Sequence, residues 1–94
     1  MKLADDNSVL IGRKPVMSYV LACLSLFHGG ATEVSVRARG RAISRAVDVV
    51  EVTRRRFMPD IKVQKIGIGT EALPVFQDGS AQSNVSTIKI TLAK

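Results

Sequence analysis

Val34-Ser-Val-Arg-Ala-Arg-Gly-Arg-Ala-Ile-Ser-Arg-Ala-Val47 changes its repeat halfway along. Up to Arg39, Val34, Val36 and Ala38 alternate with Glu33, Ser35, Arg37 and Arg39, the two-residue period of a half-buried strand running from Thr32 to Arg39. Beyond Gly40, apolar residues recur every three or four positions, as on one face of a helix. Gly40 marks the junction, where glycine lets the backbone turn sharply and leaves the first helical amides able to face an anion. Four guanidinium groups surround it. Arg37 and Arg39 project together from the strand, while Arg41 and Arg45 stack one turn apart on the helix. Arginine forks suit bidentate phosphate contacts, so a polyanion is the first partner to consider.

Working outward, Ser8 to Ile11 reads as a short strand ending at Gly12, followed by a second basic corner at Arg13-Lys14. Pro15 is expected at the first helical position, where its missing amide costs nothing. Val16, Met17, Val20, Leu24 and Phe27 form a helical stripe widened by Tyr19, Leu21, Cys23 and Leu26, so this helix is expected to be buried on most sides. Gly29-Gly30 stops it, with His28 as a helix-end cap. On the other side of the junction, the β-branched run Val47 to Val52 suggests a strand. The absence of Gly and Pro from Arg41 to Phe57 argues for a helix with Ile43, Ala46, Val47, Val50 and Phe57 on its apolar face. Arg54, Arg55 and Arg56 fall in its last turn, near Glu51, and Pro59 ends it.

Asp60 to Gly69 reads as a strand whose phase slips after Val63, so that Ile66 and Ile68 change parity; a bulge or a second buried face explains such a slip. Asn84 to Lys94 is the last strand, with Ile88, Ile90 and Leu92 inward and Thr87, Lys89 and Thr91 outward. Thr70 to Ser83 reads as a protruding two-stranded arm with its tip at Asp78-Gly79, or else as a loop. The order is βαβαββ in one α+β domain spanning residues 1–94, with two helices on a four-stranded mixed sheet. Both basic corners follow strands and precede helices, so they can share one edge of that sheet.

Ninety-four residues with fourteen Lys and Arg against eight Asp and Glu carry a formal charge of +6. Eight of the fourteen are arginines, and the sequence pI near 10.1 lies in the nucleic-acid-binding range. A lone Cys23 in an apolar run points to a reducing, intracellular setting. The amino-terminal segment does not resemble a secretory signal, and Val16 to Phe27 is too short to span a bilayer, which takes about 20 apolar residues. No catalytic constellation, metal set or cofactor motif emerges: Asp48 and Glu51 lie among arginines, and Gly67-Ile-Gly69 lacks the rest of a dinucleotide fingerprint. Tyr19, Phe27, Phe57 and Phe76 are too few, and too apolar in context, to stack successive bases. Contact with a duplex backbone fits this composition better than base readout.

Ile11-Gly-Arg-Lys-Pro-Val-Met-Ser-Tyr-Val20, Ala38-Arg-Gly-Arg-Ala-Ile-Ser-Arg-Ala-Val-Asp48, Arg56-Phe-Met-Pro-Asp60 and Val85-Ser-Thr-Ile88 resemble the Alba family of archaeal chromatin proteins. The resemblance implies a fold like the C-terminal domain of bacterial translation initiation factor three, with a protruding hairpin of the last two strands. It also implies homodimers or heterodimers with a paralogue that coat double-stranded DNA and also bind RNA. In its terms Arg13 and Lys14 are the central DNA-contacting pair, Lys14 is the acetylation site, and Arg39 and Arg41 are further backbone contacts. The hairpin would reach along the minor groove. Having no Lys or Arg from Thr70 to Asn84, this chain would offer Gln77, Gln82 and Asn84 there instead. Phe57 would pack between neighbouring dimers; its place in the apolar stripe gives it a competing core role.

The sequence therefore predicts a cytoplasmic, chromosome-associated, sequence-tolerant duplex-DNA-binding dimer, with Arg13, Lys14, Arg39, Arg41 and also Arg37 and Arg45 neutralising phosphates. A ribonucleoprotein role in which the partner is RNA is the rival expectation, since A-form helices also present a phosphate lattice. An assembly subunit without nucleic-acid contact would leave the arginine junction unexplained.

Overall fold

The computed structural model describes residues 7–74 and 82–94. Along them run β1 (Ser8–Leu10), α1 (Val16–His28), β2 (Glu33–Arg39), α2 (Ala42–Val52), a π-helical turn (Thr53–Phe57), β3 (Lys62–Pro74) and β4 (Gln82–Ala93). The strands form one mixed sheet in the order β1-β2-β4-β3. β1 and β2 are parallel, joined through α1, with Val9 beside Val36; β4 lies antiparallel between β2 and β3. Both helices cover one face. There Val9, Val34, Val36, Ala38, Ile90 and Leu92 pack with Tyr19, Val20, Cys23 and Phe27 of α1 and with Ala46, Val49 and Val50 of α2. Each fully buried Val or Leu side chain contributes roughly 1.5–3 kcal/mol, so this single layer of contact carries the fold.

Pro15 is the N-cap of α1, with φ −60° and ψ 152°, one position earlier than expected. At the other end Gly29, not His28, is the C-cap, and Gly30 reverses the chain at φ +109°. The stripe on α1 is narrower than predicted: Met17 and Leu21 are exposed, because only Tyr19, Val20, Cys23 and Phe27 point fully into the single core.

The helical reading of residues 41–57 holds, with two corrections. Val47 is 43% and Phe57 46% exposed, whereas Val49 and Thr53 are buried. The Met58 amide donates to the Thr53 carbonyl at 2.9 Å, five residues back, and one residue more per turn rotates the following side chains by roughly 100°. Phe57 thereby leaves the apolar stripe. Arg54 donates from Nε to the carbonyl of Ile61, the residue just before β3, at 3.4 Å. Thr53 presents a buried hydroxyl without a hydrogen-bond partner among the described residues. Close by, burial pushes the Cys23 thiol up to about 11.

The phase slip in β3 is a bulge between Val63 and Lys65. After it Ile66 stands opposite Ile90 and Ile68 opposite Ile88, on the helix side of the sheet. No helix reaches that far: Ile66 is 59% and Ile68 83% exposed. The ribbon continues beyond them to the pair Pro74 and Gln82, and the expected tip at Asp78-Gly79 lies outside the described residues.

Candidate nucleic-acid interface

Ile11 donates to the Arg37 carbonyl at 2.8 Å, the last ladder contact before the chain leaves β1 for its basic corner. The corner is clamped from inside. Tyr19 reaches back from α1 so that its hydroxyl oxygen accepts the Gly12 amide at 2.9 Å and the Lys14 amide at 3.0 Å. A Cβ on residue 12 would come within 3.3 Å of that oxygen, so glycine permits the approach. With the backbone held on both sides of Arg13, the Arg13 and Lys14 side chains stand exposed.

The second corner follows β2. Gly40 has φ +59°, donates to the Ser86 carbonyl at 2.8 Å, and would set a Cβ 3.2 Å from Val85 Cγ2; any other residue there would be strained. Arg41, exposed, is the N-cap of α2, and one turn on Arg45 donates from Nη1 to the Gly12 carbonyl at 2.7 Å. That bond joins the two corners, which the sheet already places at the same ends of the parallel strands β1 and β2.

Four residues of the expected set come together here: Arg13, Lys14, Arg41 and Arg45. Arg45 is half-buried, and its bond to Gly12 gives it a bracing role at the junction in addition to its charge. Arg37 and Arg39 instead project from the open, helix-free face of the sheet, because strand alternation turns them away from Val36 and Ala38. Arg39 Nη1 pairs with Glu71 Oε1 of β3 at 2.8 Å, both side chains about half exposed. Asn84 is exposed on the ribbon, Gln82 opens β4, and Gln77 lies outside the described residues. Glu51 holds Arg54 and Arg55 at 2.8 and 2.9 Å, and the hydrogen bonds from Arg55 and then Arg54 keep its carboxyl below the ordinary glutamate value.

Sequence reasoning passed over Tyr19 as a bracing group, Glu71 as the ion-pair partner of Arg39, and Lys89. Lys89 was legible as an outward residue of the last strand. Its position directly opposite Arg37 follows from the β2–β4 register, for which no local signal exists. Among the described residues no group of three His, Cys, Asp or Glu side chains is arranged to hold a metal ion. Among the described residues no helix is long and apolar enough to cross a membrane.

These features define a small α+β domain: two helices on a mixed four-stranded sheet, a basic edge where two strand-to-helix junctions meet, and a long antiparallel ribbon. The chain belongs to the Alba family, whose model matches residues 7–70. It is 61% identical to "DNA/RNA-binding protein Alba 1" of Archaeoglobus fulgidus, over 95% of this chain and 97% of that one. It is 52% identical to "DNA/RNA-binding protein Alba" of Methanothrix thermoacetophila, over 98% and 100%. Among solved structures, Alba from Thermoplasma volcanium superposes with a TM-score of 0.85 at 44% identity, covering 93% of this chain and 99% of that chain.

Proposed function

We propose that this protein binds nucleic acid by gripping the phosphate backbone of duplex DNA with little regard to sequence, and that it coats or compacts the chromosome in the cytoplasm as a dimer. The observation that carries the reading is the 2.7 Å bond from Arg45 to Gly12, which gathers Arg13, Lys14 and Arg41 on one exposed edge. Arg39 joins them when a phosphate replaces Glu71. Relatives at 61% and 52% identity that are named DNA/RNA-binding proteins support the ligand class.

Dimerisation is supported by Ile66 and Ile68, which extend the apolar face of the sheet past the helices and leave it uncovered. A second copy, or a paralogue with a similar ribbon, offers the complementary surface. The half-exposed ring of Phe57 supports a contact between neighbouring dimers. RNA is the second reading, favoured by the relatives' names, and it uses the same edge because A-form helices present a similar phosphate lattice.

Affinity for unrelated duplexes of equal length, followed against salt, tests the proposal. With about 6–10 phosphate contacts per dimer, binding should fall on the order of 10³–10⁵-fold between about 50 and 200 mM salt, equally for all sequences. An affinity indifferent to salt, or confined to one sequence, contradicts it. Competition with duplex RNA at one salt concentration ranks the two ligands.

A further inference from the structure

The sheet face turned away from the helices carries a shallow trough of about 760 Å³, with Arg37, Lys89 and Gly67 across its middle and Arg39, Thr87 and Glu71 at one end. Lys89 stands directly between Arg37 on β2 and Gly67 on β3 in the ladder. Like charges placed opposite each other on one sheet face destabilise it, and among the described residues neither Arg37 nor Lys89 has a carboxylate partner. The trough continues past Lys89 to Lys65, and Glu33 lies at that far end as Glu71 does at the other. Lys65, the Arg37–Lys89 pair and Arg39 belong to ladder rows two residues apart, so cationic groups recur about every 7 Å along the sheet.

Gly67 is the second observation. A glycine inside a strand weakens it and marks a place where something approaches the backbone closely. Here neither conformation nor crowding requires it: its φ is not positive, and a Cβ at residue 67 would meet nothing within 4 Å. A side chain there would instead fill the floor of the trough beneath Lys89.

We propose that this open face is a second binding surface, which takes a single strand of nucleic acid laid along the trough. Its phosphates lie between Arg37 and Lys89 and at Lys65, its backbone rests on the glycine floor, and the Ser35, Thr87 and Thr91 hydroxyls of the floor offer hydrogen bonds. The occupant is one strand rather than two because the cations lie in a narrow row inside a trough. Without aromatic side chains in the row, the strand is held through phosphates and read for no base. The ligand class rests on the nucleic-acid reading above, but the phosphate contacts named here, Arg37, Lys89 and Lys65, are not among those of the basic edge, and only Arg39 at the trough's end belongs to both, so duplex and single strand can be held at once.

The test measures binding of the full chain to a 20-nucleotide oligo-dT strand and to a 20-base-pair duplex, by fluorescence anisotropy in about 0.1 M salt. Lys89→Ala should weaken the single strand about five-fold and lower its salt slope by about 0.7, as loss of one phosphate contact does. Gly67→Val should weaken it comparably with an unchanged slope, while its melting temperature stays level or rises, since a β-branched residue suits the strand. Neither should move duplex affinity. The double variant Arg13→Ala/Lys14→Ala should show the reverse, losing duplex and keeping single strand. If single-strand affinity is untouched by Lys89→Ala and Gly67→Val, the second surface does not exist, whatever the duplex results show. If Arg13→Ala/Lys14→Ala abolishes both ligands equally, there is one surface only. Duplex binding that survives the double variant counts against the basic edge alone and leaves the trough to be judged by its own two variants.

Discussion

Arg45 Nη1 donates to the carbonyl oxygen of Gly12 at 2.7 Å across 33 residues of sequence, and so fixes the start of α2 against the turn that leaves β1. A hydrogen bond from a charged donor in a half-buried setting contributes about 1.5–3 kcal/mol. Arg45→Ala should lower unfolding free energy in urea toward the lower end of that range, since water can reach the freed carbonyl, and should reduce duplex affinity. Arg45→Lys separates charge from geometry. It should restore the salt slope without restoring affinity, and full recovery of affinity would mean that Arg45 acts through its charge alone.

Arg13 and Lys14 are exposed and have no carboxylate partner among the described residues. Arg13→Ala should weaken binding to every duplex sequence alike and flatten the plot of log affinity against log salt by about 0.9. Lys14→Gln, which removes the charge as acetylation does, should do the same. A changed sequence preference with an unchanged slope would argue against phosphate contact at either position.

In the proposed phosphate grip, Glu71 competes with phosphate for Arg39. Their pair is half exposed and worth about 0–1 kcal/mol, so Glu71→Gln should leave the melting temperature nearly unchanged. Nucleic-acid affinity should rise, because Arg39 is released and a negative charge is removed. Isothermal titration at low salt reads the change, and weaker binding in the variant would show that the ion pair orients Arg39 for contact.

Ile68 is 83% exposed on the helix side of β3, next to Ile66 at 59%. Ile68→Asp should hardly affect the folding of one chain but should prevent a second copy from covering that face. Sedimentation should then report the 10.2 kDa chain mass in place of twice that value. A wild-type protein that sediments at the single-chain mass under micromolar conditions would remove the dimer from the proposal.

Burial raises the Cys23 thiol from 9.0 to about 11. The folded chain therefore keeps a proton that the unfolded chain gives up near pH 9. Its contribution to stability is complete below that pH and fades as pH rises toward 11. Denaturant midpoints should decline over this window more in the wild type than in Cys23→Ala. Alkylation of the native thiol at pH 8 should also be slow until denaturant is added; prompt modification of the folded protein would show that Cys23 is reached without unfolding.

Local patterning made most of the architecture readable. Alternation through Val34, Val36 and Ala38 fixed a strand, because each residue of a pleated chain faces opposite to its neighbour, and the shift of period at Gly40 located the turn to α2. The slip after Val63 announced the bulge for the same reason. Residues Arg13, Lys14 and Arg41 were recognisable because glycine and proline punctuation shows where strands end and helices start. Phe57 was misplaced as a stripe residue because helical periodicity assumes regular winding, which the π turn over Thr53–Phe57 breaks.

By itself, then, the chain determined its elements, their order and the positions of its basic corners, all of which depend on interactions between residues close in sequence. Tertiary structure alone decided which cations become neighbours. Arg45 met Gly12, Arg39 met Glu71 and Arg37 came to face Lys89 through strand order and register. Those are set by how whole faces bury their apolar side chains together, and no short window of sequence contains that information.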